Sequence, residues 1–556
     1  MNELKPMLFS VLKGYTKEQF LKDVISGVIV AIIALPLSIA LALASGVGPE
    51  EGIYTAIIAG FLISFLGGSR VQIAGPTAAF ATIVAGVVAQ NGMAGLAMAT
   101  LMAGIILIIM GIFRFGNLIK FIPYTITTGF TAGIAVTILI GQLKDFFGVT
   151  YANDVAPVET MEKLEAFFHS IGTINYQALI VGVVCLTILI FWPRISQKIP
   201  GSLVAVIVGI VMVKLLDMNV NTIGDLYAVS NKLPSLSLPA WDFEMLKNIL
   251  PDAFTIAVLA AIESLLSCVV ADGMTNTKHR SNMELVAQGI GNIGSALFGG
   301  IPATGAIART AANIKSGGRT PIAGMVHAIV LLLILVVLMP YASWIPMPTI
   351  AAILFQVAYN MCQWRPFVNI IRTSTKSDII VLVVTFLLTV IFDLVVAIEV
   401  GIIMACVLFM KRMSDETDIV GWKYVEQEYD DTDKLLQLHK GVRVYEITGP
   451  LFFGVAGRIA DISTKEFTKC LVIRMRSVST IDATAMNALE ALYRRCSSRG
   501  ITLVFSHVNK QPMQVMKRSG LYKRVGPENF CSHIDEALAH ATRIAQEAEK
   551  EILISK

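Results

Sequence analysis

The sequence predicts an α-helical polytopic membrane protein. It has fourteen transmembrane segments in a seven-plus-seven inverted repeat, two of them half-helices, followed by a soluble α/β domain. Three observations carry this reading. The chain is 55% hydrophobic and only 15% charged, with mean hydropathy +0.70, against roughly 25% charged residues in ordinary globular chains. Apolar runs of membrane-spanning length follow one another as far as Lys411-Arg412, where acidic residues set in. Two interrupted segments, one in each half, repeat a single pattern. The first is Phe65-Leu66-Gly67-Gly68, then Val71-Gln72-Ile73-Ala74, then Gly75-Pro76-Thr77-Ala78-Ala79. The second is Leu297-Phe298-Gly299-Gly300, then Ile301-Pro302-Ala303-Thr304, then Gly305-Ala306-Ile307-Ala308-Arg309.

In chain order, residues 1–22 form a mixed polar, amphipathic cytoplasmic segment. No cleavable signal is expected before the first span. The transmembrane domain occupies 23–411. Its spans are expected near 23–45, 50–66, 75–90, 93–112, 118–139, 174–191, 200–216, 252–270, 283–298, 305–315, 321–339, 345–361, 377–394 and 395–411. The segments 75–90 and 305–315 are too short to cross alone, so the extended stretches before them complete the passage. A polar linker, 412–437, leads to a cytoplasmic domain at 438–545 and a tail at 546–556. In that domain 442–447, 470–475 and 501–505 read as strands. Helical patterns at 482–497, 510–518 and 533–550 alternate with them.

Positive residues stay cytoplasmic. With both termini inside, the inner connections hold Arg70, Arg114, Lys120, Arg194, Lys198, Lys278, Arg280, Lys315, Arg319, Arg365, Arg372 and Lys376. The outer connections 140–173 and 217–251 hold Asp145, Asp154, Glu159, Glu162, Glu165, Asp217, Asp225, Asp242 and Glu244. An odd number of spans per half inverts the halves. The two half-helices then point their N-termini at one place.

Composition also excludes functions. A net charge of +4 gives no reason to expect nucleic acid. The seven cysteines are scattered without a CxxC pair, which argues against a zinc site or disulfide framework. No nucleophile–base pair or metal cluster is visible, so neither enzyme nor cofactor is expected.

A helix N-terminus presents unpaired amides and a partial positive charge, and so attracts anions. The anion-binding set is therefore Gly75, Pro76, Thr77, Ala78 and Ala79 with Gly305, Ala306, Ile307 and Arg309. Gly75 and Gly305 permit close backbone approach. Pro76 suits a first helical turn. Arg309 either adds charge to the site or snorkels towards a cytoplasmic acid. Glu263, mid-span, is functional by default, and a change in its protonation beside an anion would couple the two. Ser267 lies one turn on. Asp393 and Glu399 read as helix caps, and Asp482 as the N-cap of a soluble helix.

These segments resemble the sulfate-permease (SulP) family of anion transporters. The marks are Gly52-Ile53-Tyr54-Thr55, Gly67-Gly68-Ser69-Arg70, Gly75-Pro76-Thr77-Ala78-Ala79-Phe80, Ala261-Ile262-Glu263-Ser264-Leu265-Leu266 and Asp272-Gly273-Met274-Thr275-Asn276-Thr277-Lys278-His279. The soluble end resembles a STAS domain. Within the family the likeness is to bacterial C4-dicarboxylic acid transporters. The resemblance implies core and gate subdomains, a homodimer and elevator-type alternating access. It places substrate at Thr77, Ala78, Gly305 and Ala306. Sodium-coupled bicarbonate members have an aspartate at the position of Glu263, a hydroxyl at Ser267 and a threonine at Ile307, so this chain favours protons. Thr484 matches the phosphorylated position of related STAS domains, with Ala483 and Ala485 departing from the pattern around it. The expected function is proton-coupled uptake of C4-dicarboxylates (succinate, fumarate, aspartate) across a bacterial inner membrane. The alternatives are sulfate or bicarbonate transport, and an anion sensor that signals to a cytoplasmic protein partner through STAS.

Overall fold

The computed structural model describes residues 4–117, 123–151, 157, 159–196, 199–237, 243–392, 394–421 and 439–554. Asp393, Lys120, Asp154, Lys198 and Asp242 lie outside the described residues, as do linker positions 422–437. The chain divides into two compact units, Met1–Ile403 and Met404–Lys556.

Each expected span contains a helix among the described residues. The helices are α1 Lys17–Ala44, α2 Pro49–Leu66, α3 Ala81–Ile112, α4 Tyr124–Gly141, α5 Tyr176–Ile195, α6 Gly201–Leu215 and α7 Phe243–Thr275. They continue as α8 Ser281–Leu297, α9 Ile307–Lys315, α10 Ile322–Ala342, α11 Met347–Cys362, α12 Lys376–Ile391 and α13 Leu394–Glu416. Helix α3 carries two of the expected spans. At Gly92 its backbone leaves the helix (φ 65°, ψ −171°), a conformation open to glycine at little cost. Helices Thr160–His169 and Trp364–Thr373 lie in stretches expected to be connections. The first starts at a capping box in which Glu159 and Glu162 serve each other's ends of the turn.

The membrane helices pack as two groups. Helices α1, α2, α3, α7, α8, α9 and α10 form the core, while α4, α5, α6, α11 and α12 form the gate. Lipid gives helices no hydrophobic reason to associate, so close backbone contact at small residues carries the packing. In the core, a β-carbon on Gly104 of α3 would lie 2.7 Å from the Gly289 carbonyl of α8, and one on Gly289 would lie 2.5 Å from the Gly104 carbonyl. In the gate, Gly129 and Gly133 of α4 face Thr385 and Thr389 of α12. Gly104→Val forces a branched side chain against backbone that cannot rotate away, and overpacking of this kind costs about 1–3 kcal/mol. A lowered Tm of the detergent-purified protein is expected, and an unchanged Tm would show that the two helices are free to separate.

The crossing segments before the half-helices pair with each other. β1 (Ala74–Gly75) and β2 (Thr304–Gly305) form an antiparallel ladder, Ala74 opposite Gly305 and Gly75 opposite Thr304. Antiparallel pairing requires the two crossings to run in opposite directions, as an inverted repeat demands. The helices leave this ladder immediately, the first as a 3-10 turn Ala78–Phe80 leading into α3, the second as α9.

The soluble unit has a five-stranded sheet in the order β3 (Asp418–Gly421), β4 (Val442–Thr448), β5 (Cys470–Ser477), β6 (Thr502–Ser506), β7 (Phe530–Cys531). β3 is antiparallel to β4 and the other neighbours are parallel. Helices α14 (Ala483–Ser498) and α15 (Lys510–Arg518) cover one face around Ile473, Leu489 and Phe505. Helix α16 (Ile534–Ile554) covers the other around Val444, Val472 and Ala541. Cys470, buried under α16, has its thiol pushed up to about 12 by desolvation and is unreactive at neutral pH. The expected linker 412–437 needs correction at its start: α13 continues to Glu416, and Asp418–Gly421 is a strand. Four residues are too few for alternation to register, and only pairing with β4 defines them as a strand.

Candidate functional site

An irregular backbone at membrane depth must find a partner for every polar group. Side chains from neighbouring helices supply them here. In the first crossing, the amides of Gly68 and Ser69 donate to Glu284 Oε2 at 2.9 and 3.2 Å. The Ile73 amide donates to Thr310 Oγ1 at 3.0 Å, and Asn313 Nδ2 donates to the Val71 carbonyl at 2.8 Å. In the second, the Ile301 amide donates to Thr55 Oγ1 at 2.7 Å. Asn292 reads both backbone groups of Ala303, at 2.8 and 2.9 Å, as a neighbouring strand would. The Gly305 amide donates to Ser264 Oγ at 3.1 Å.

Glu284 is the hub of this scaffold. It is fully buried and also accepts from Gln72 Nε2 at 2.8 Å and Gln288 Nε2 at 2.9 Å. The reading from sequence passed over it. A signal was present: Glu284, Gln288 and Asn292 recur every fourth residue on one face of an apolar helix, an arrangement that needs polar partners across that face.

The two helix starts are bare. Thr77 and Ala306 hold the N-cap positions in extended conformations, and neither start has a side-chain cap. The first amides of each helix therefore remain free for a ligand. Gly75 and Gly305 are the close approaches expected of them: a β-carbon on Gly75 would collide with Arg309 Nη1, and one on Gly305 with the Gln72 amide. Pro76 departs from expectation. It precedes the helix, which begins at Ala78 because Ala74 and Gly75 are held in the ladder and Thr77 remains extended.

Thr77 does not cap its own helix. Its hydroxyl donates to Glu263 Oε2 at 2.8 Å, tying α7 to the first helix start. Ser267 points elsewhere, donating to Thr310 Oγ1 at 3.4 Å. Arg309 is 2% exposed, so the snorkelling alternative is excluded. Its Nη2 donates to the Pro76 carbonyl at 3.1 Å, from the second half-helix to the first crossing. Its Nη1 has no protein partner among the described residues. Ala78, Ala79 and Ala306 are buried, whereas Thr77, Glu263 and Ile307 keep partial exposure and Ala308 is exposed. The result is one locus with two bare helix starts, a buried guanidinium and a carboxyl held by a threonine.

In the soluble unit Asp482 is the N-cap of α14, accepting from the Ala485 amide at 2.8 Å and the Phe453 amide at 2.9 Å. Thr484 is exposed in the first turn.

Known proteins resemble this chain in sequence and fold. Residues 20–385 match the Sulfate permease family and residues 434–537 the STAS domain. YvdB of Bacillus subtilis (strain 168), named for sulfate transport, is 38% identical over 94% of this chain and 98% of its own. The bicarbonate transporter BicA of Picosynechococcus is 31% identical over 93% of this chain and 94% of its own. The solved transmembrane domain of a cyanobacterial BicA superposes with a TM-score of 0.61 at 30% identity, covering 70% of this chain and 98% of that one. The structure of SLC26A9 superposes with a TM-score of 0.86 at 18% identity, covering 99% of this chain and 94% of that one, a likeness of fold.

Proposed function

Because this chain belongs to the sulfate permease family of transporters and carries a STAS domain, we propose that it moves a small anion together with protons by elevator-type alternating access. The observation that carries this is the convergence of two uncapped helix starts on a two-residue ladder, with Arg309 beside them. Such a locus holds negative charge on helix-terminal amides with one guanidinium beside them. Glu263 is bound to it through Thr77, so the charge of one carboxyl is felt where the anion sits.

A compact oxyanion, sulfate or bicarbonate, suits this geometry best, because both helix starts leave one short ladder and address a single centre. The names of YvdB and BicA favour the same class. The C4-dicarboxylate reading is the second, favoured by Arg309 and two separate starts as donors for two carboxylates. Sodium coupling is disfavoured: Ile307 brings no oxygen and Ser267 is turned to Thr310, leaving the Glu263–Thr77 pair short of the oxygen ligands a cation needs. The protein is proposed to act as a homodimer in a bacterial inner membrane with both termini cytoplasmic. The exposed Thr484 face of STAS is the proposed contact for a cytoplasmic partner.

Reconstituted full-length protein tests this reading. Labelled sulfate, bicarbonate and succinate are offered under an inward proton gradient or an inward sodium gradient. Uptake of sulfate or bicarbonate driven by the proton gradient is expected. Uptake driven by sodium alone would overturn the coupling, and uptake of succinate in preference would move the assignment to the dicarboxylate.

A further inference from the structure

One titratable side chain in the core has no part in the site described above. His327 of α10 is fully buried, and both its ring nitrogens lack a protein partner among the described residues. Buried polar atoms are almost always satisfied, and an imidazole offers two. A group left open on both sides is therefore poised for a ligand rather than for packing.

Its surroundings belong to the anion site seen from behind. Where a side chain on Gly60 of α2 would begin, the Ala74 carbonyl of β1 lies 3.2 Å away and His327 Nδ1 3.9 Å away. The ladder that carries the helix starts and the imidazole thus border one gap beside Gly60, which a side chain at position 60 would fill. Arg309, whose Nη1 is also unpartnered among the described residues, lies against Gly75 of the same strand. Helix α10 packs on α1 and α2. From α1 the buried acid is Asp23, which is spent on Tyr15, Gln19, Arg319 and Thr320 at the start of α10. From α2 the acids are Glu50 and Glu51 in its first turn, more than two turns before Gly60. Arg309, seated against the residue next to Ala74, is therefore the remaining charge beside this gap.

We propose that His327 is a second proton-binding group of the transport cycle, loaded when an anion occupies the helix starts. An imidazolium behind the ladder faces the Arg309 guanidinium. With the site empty, two positive charges share a low-dielectric interior without compensation. An anion laid on the helix starts and Arg309 supplies the missing counter-charge, and the proton becomes tolerable. By linkage the proton then tightens the anion to the same degree. Glu263 takes its proton on the front of the ladder and His327 takes one behind it. Each anion moves with two protons, which makes a divalent oxyanion electroneutral. This inference rests on the anion-transport reading above.

The test is the ratio of proton to anion flux in proteoliposomes of the full-length protein. A pH-sensitive dye and labelled sulfate, bicarbonate, succinate and chloride report the two fluxes. Wild type is expected to move two protons per anion, His327→Gln one, Glu263→Gln one, and the double variant none. A His327→Gln protein with the wild-type ratio overturns the inference while leaving the transport reading intact. Transport of none of the four anions overturns both. Should His327→Gln fail to fold, histidine-selective 15N NMR of the wild type gives the same decision. One of its seven histidines gains a proton on anion addition, or none does and the inference falls.

Discussion

Replacing Glu263 with glutamine is expected to lower the number of protons moved with each anion by one while leaving anion binding within about threefold of wild type, less than 1 kcal/mol. Glutamine keeps the length of the side chain and an oxygen that can still accept from the Thr77 hydroxyl, so the tie between α7 and the first helix start survives. What is lost is a group that can be charged or neutral. A carboxylate at this locus opposes an anion held by the two helix starts, and a carboxyl does not. That difference is the energy by which a proton and an anion favour each other's arrival. Affinity of the variant should therefore fall less steeply towards alkaline pH than that of wild type. Titration of anion affinity across pH, beside the flux ratio, is the measurement. An unchanged pH profile would remove Glu263 from the coupling machinery and reduce it to a structural partner of Thr77.

Glu284→Leu is expected to have the largest effect on stability in the membrane unit. The carboxylate accepts four hydrogen bonds, two of them from the backbone of the first crossing. Leucine leaves the Gly68 and Ser69 amides and the Gln72 and Gln288 side chains without an acceptor. Each such buried donor costs about 1–3 kcal/mol, and four together are comparable to the whole margin of an ordinary domain. Purified Glu284→Leu should show either no folded fraction or a Tm many degrees lower. Glu284→Gln, which keeps an acceptor oxygen, should fall between that and wild type. Because Gln72 lies against Gly305, even a folded variant should bind anion weakly. A Glu284→Leu protein that is stable and binds normally would show that the crossing is held by its ladder alone.

How much of this was visible beforehand follows from the range of the interactions. Transfer of apolar side chains into lipid and the backbone preferences of glycine are local, so composition and pattern located the spans, the division between 75–90 and 93–112 and the helix starts near Gly75 and Gly305. The mid-span position of Glu263 was legible for the same reason, since a carboxyl inside an apolar run stands out against its neighbours. Helix boundaries were less so: Pro76 was read into a helix that begins at Ala78, because the ladder holding the strand before it is not a local feature. Arg309 was left between two orientations that local sequence cannot separate. The polar face Glu284–Gln288–Asn292 was in plain view and went unread, since its meaning depends on what lies opposite.

The residues alone therefore decide that this chain lives in a membrane, where it crosses, where its helices break and which end is soluble. All of these follow from solvation and backbone propensity within a few residues. The pairing of Ala74 with Gly305, the bond from Thr77 to Glu263 across 186 residues, the turn of Arg309 onto the Pro76 carbonyl and the seating of His327 behind the ladder came only with the fold. Each joins segments that nothing in the chain brings together until the two inverted halves have packed. In a low-dielectric interior, the position of a charge relative to its partner decides whether it is tolerated at all.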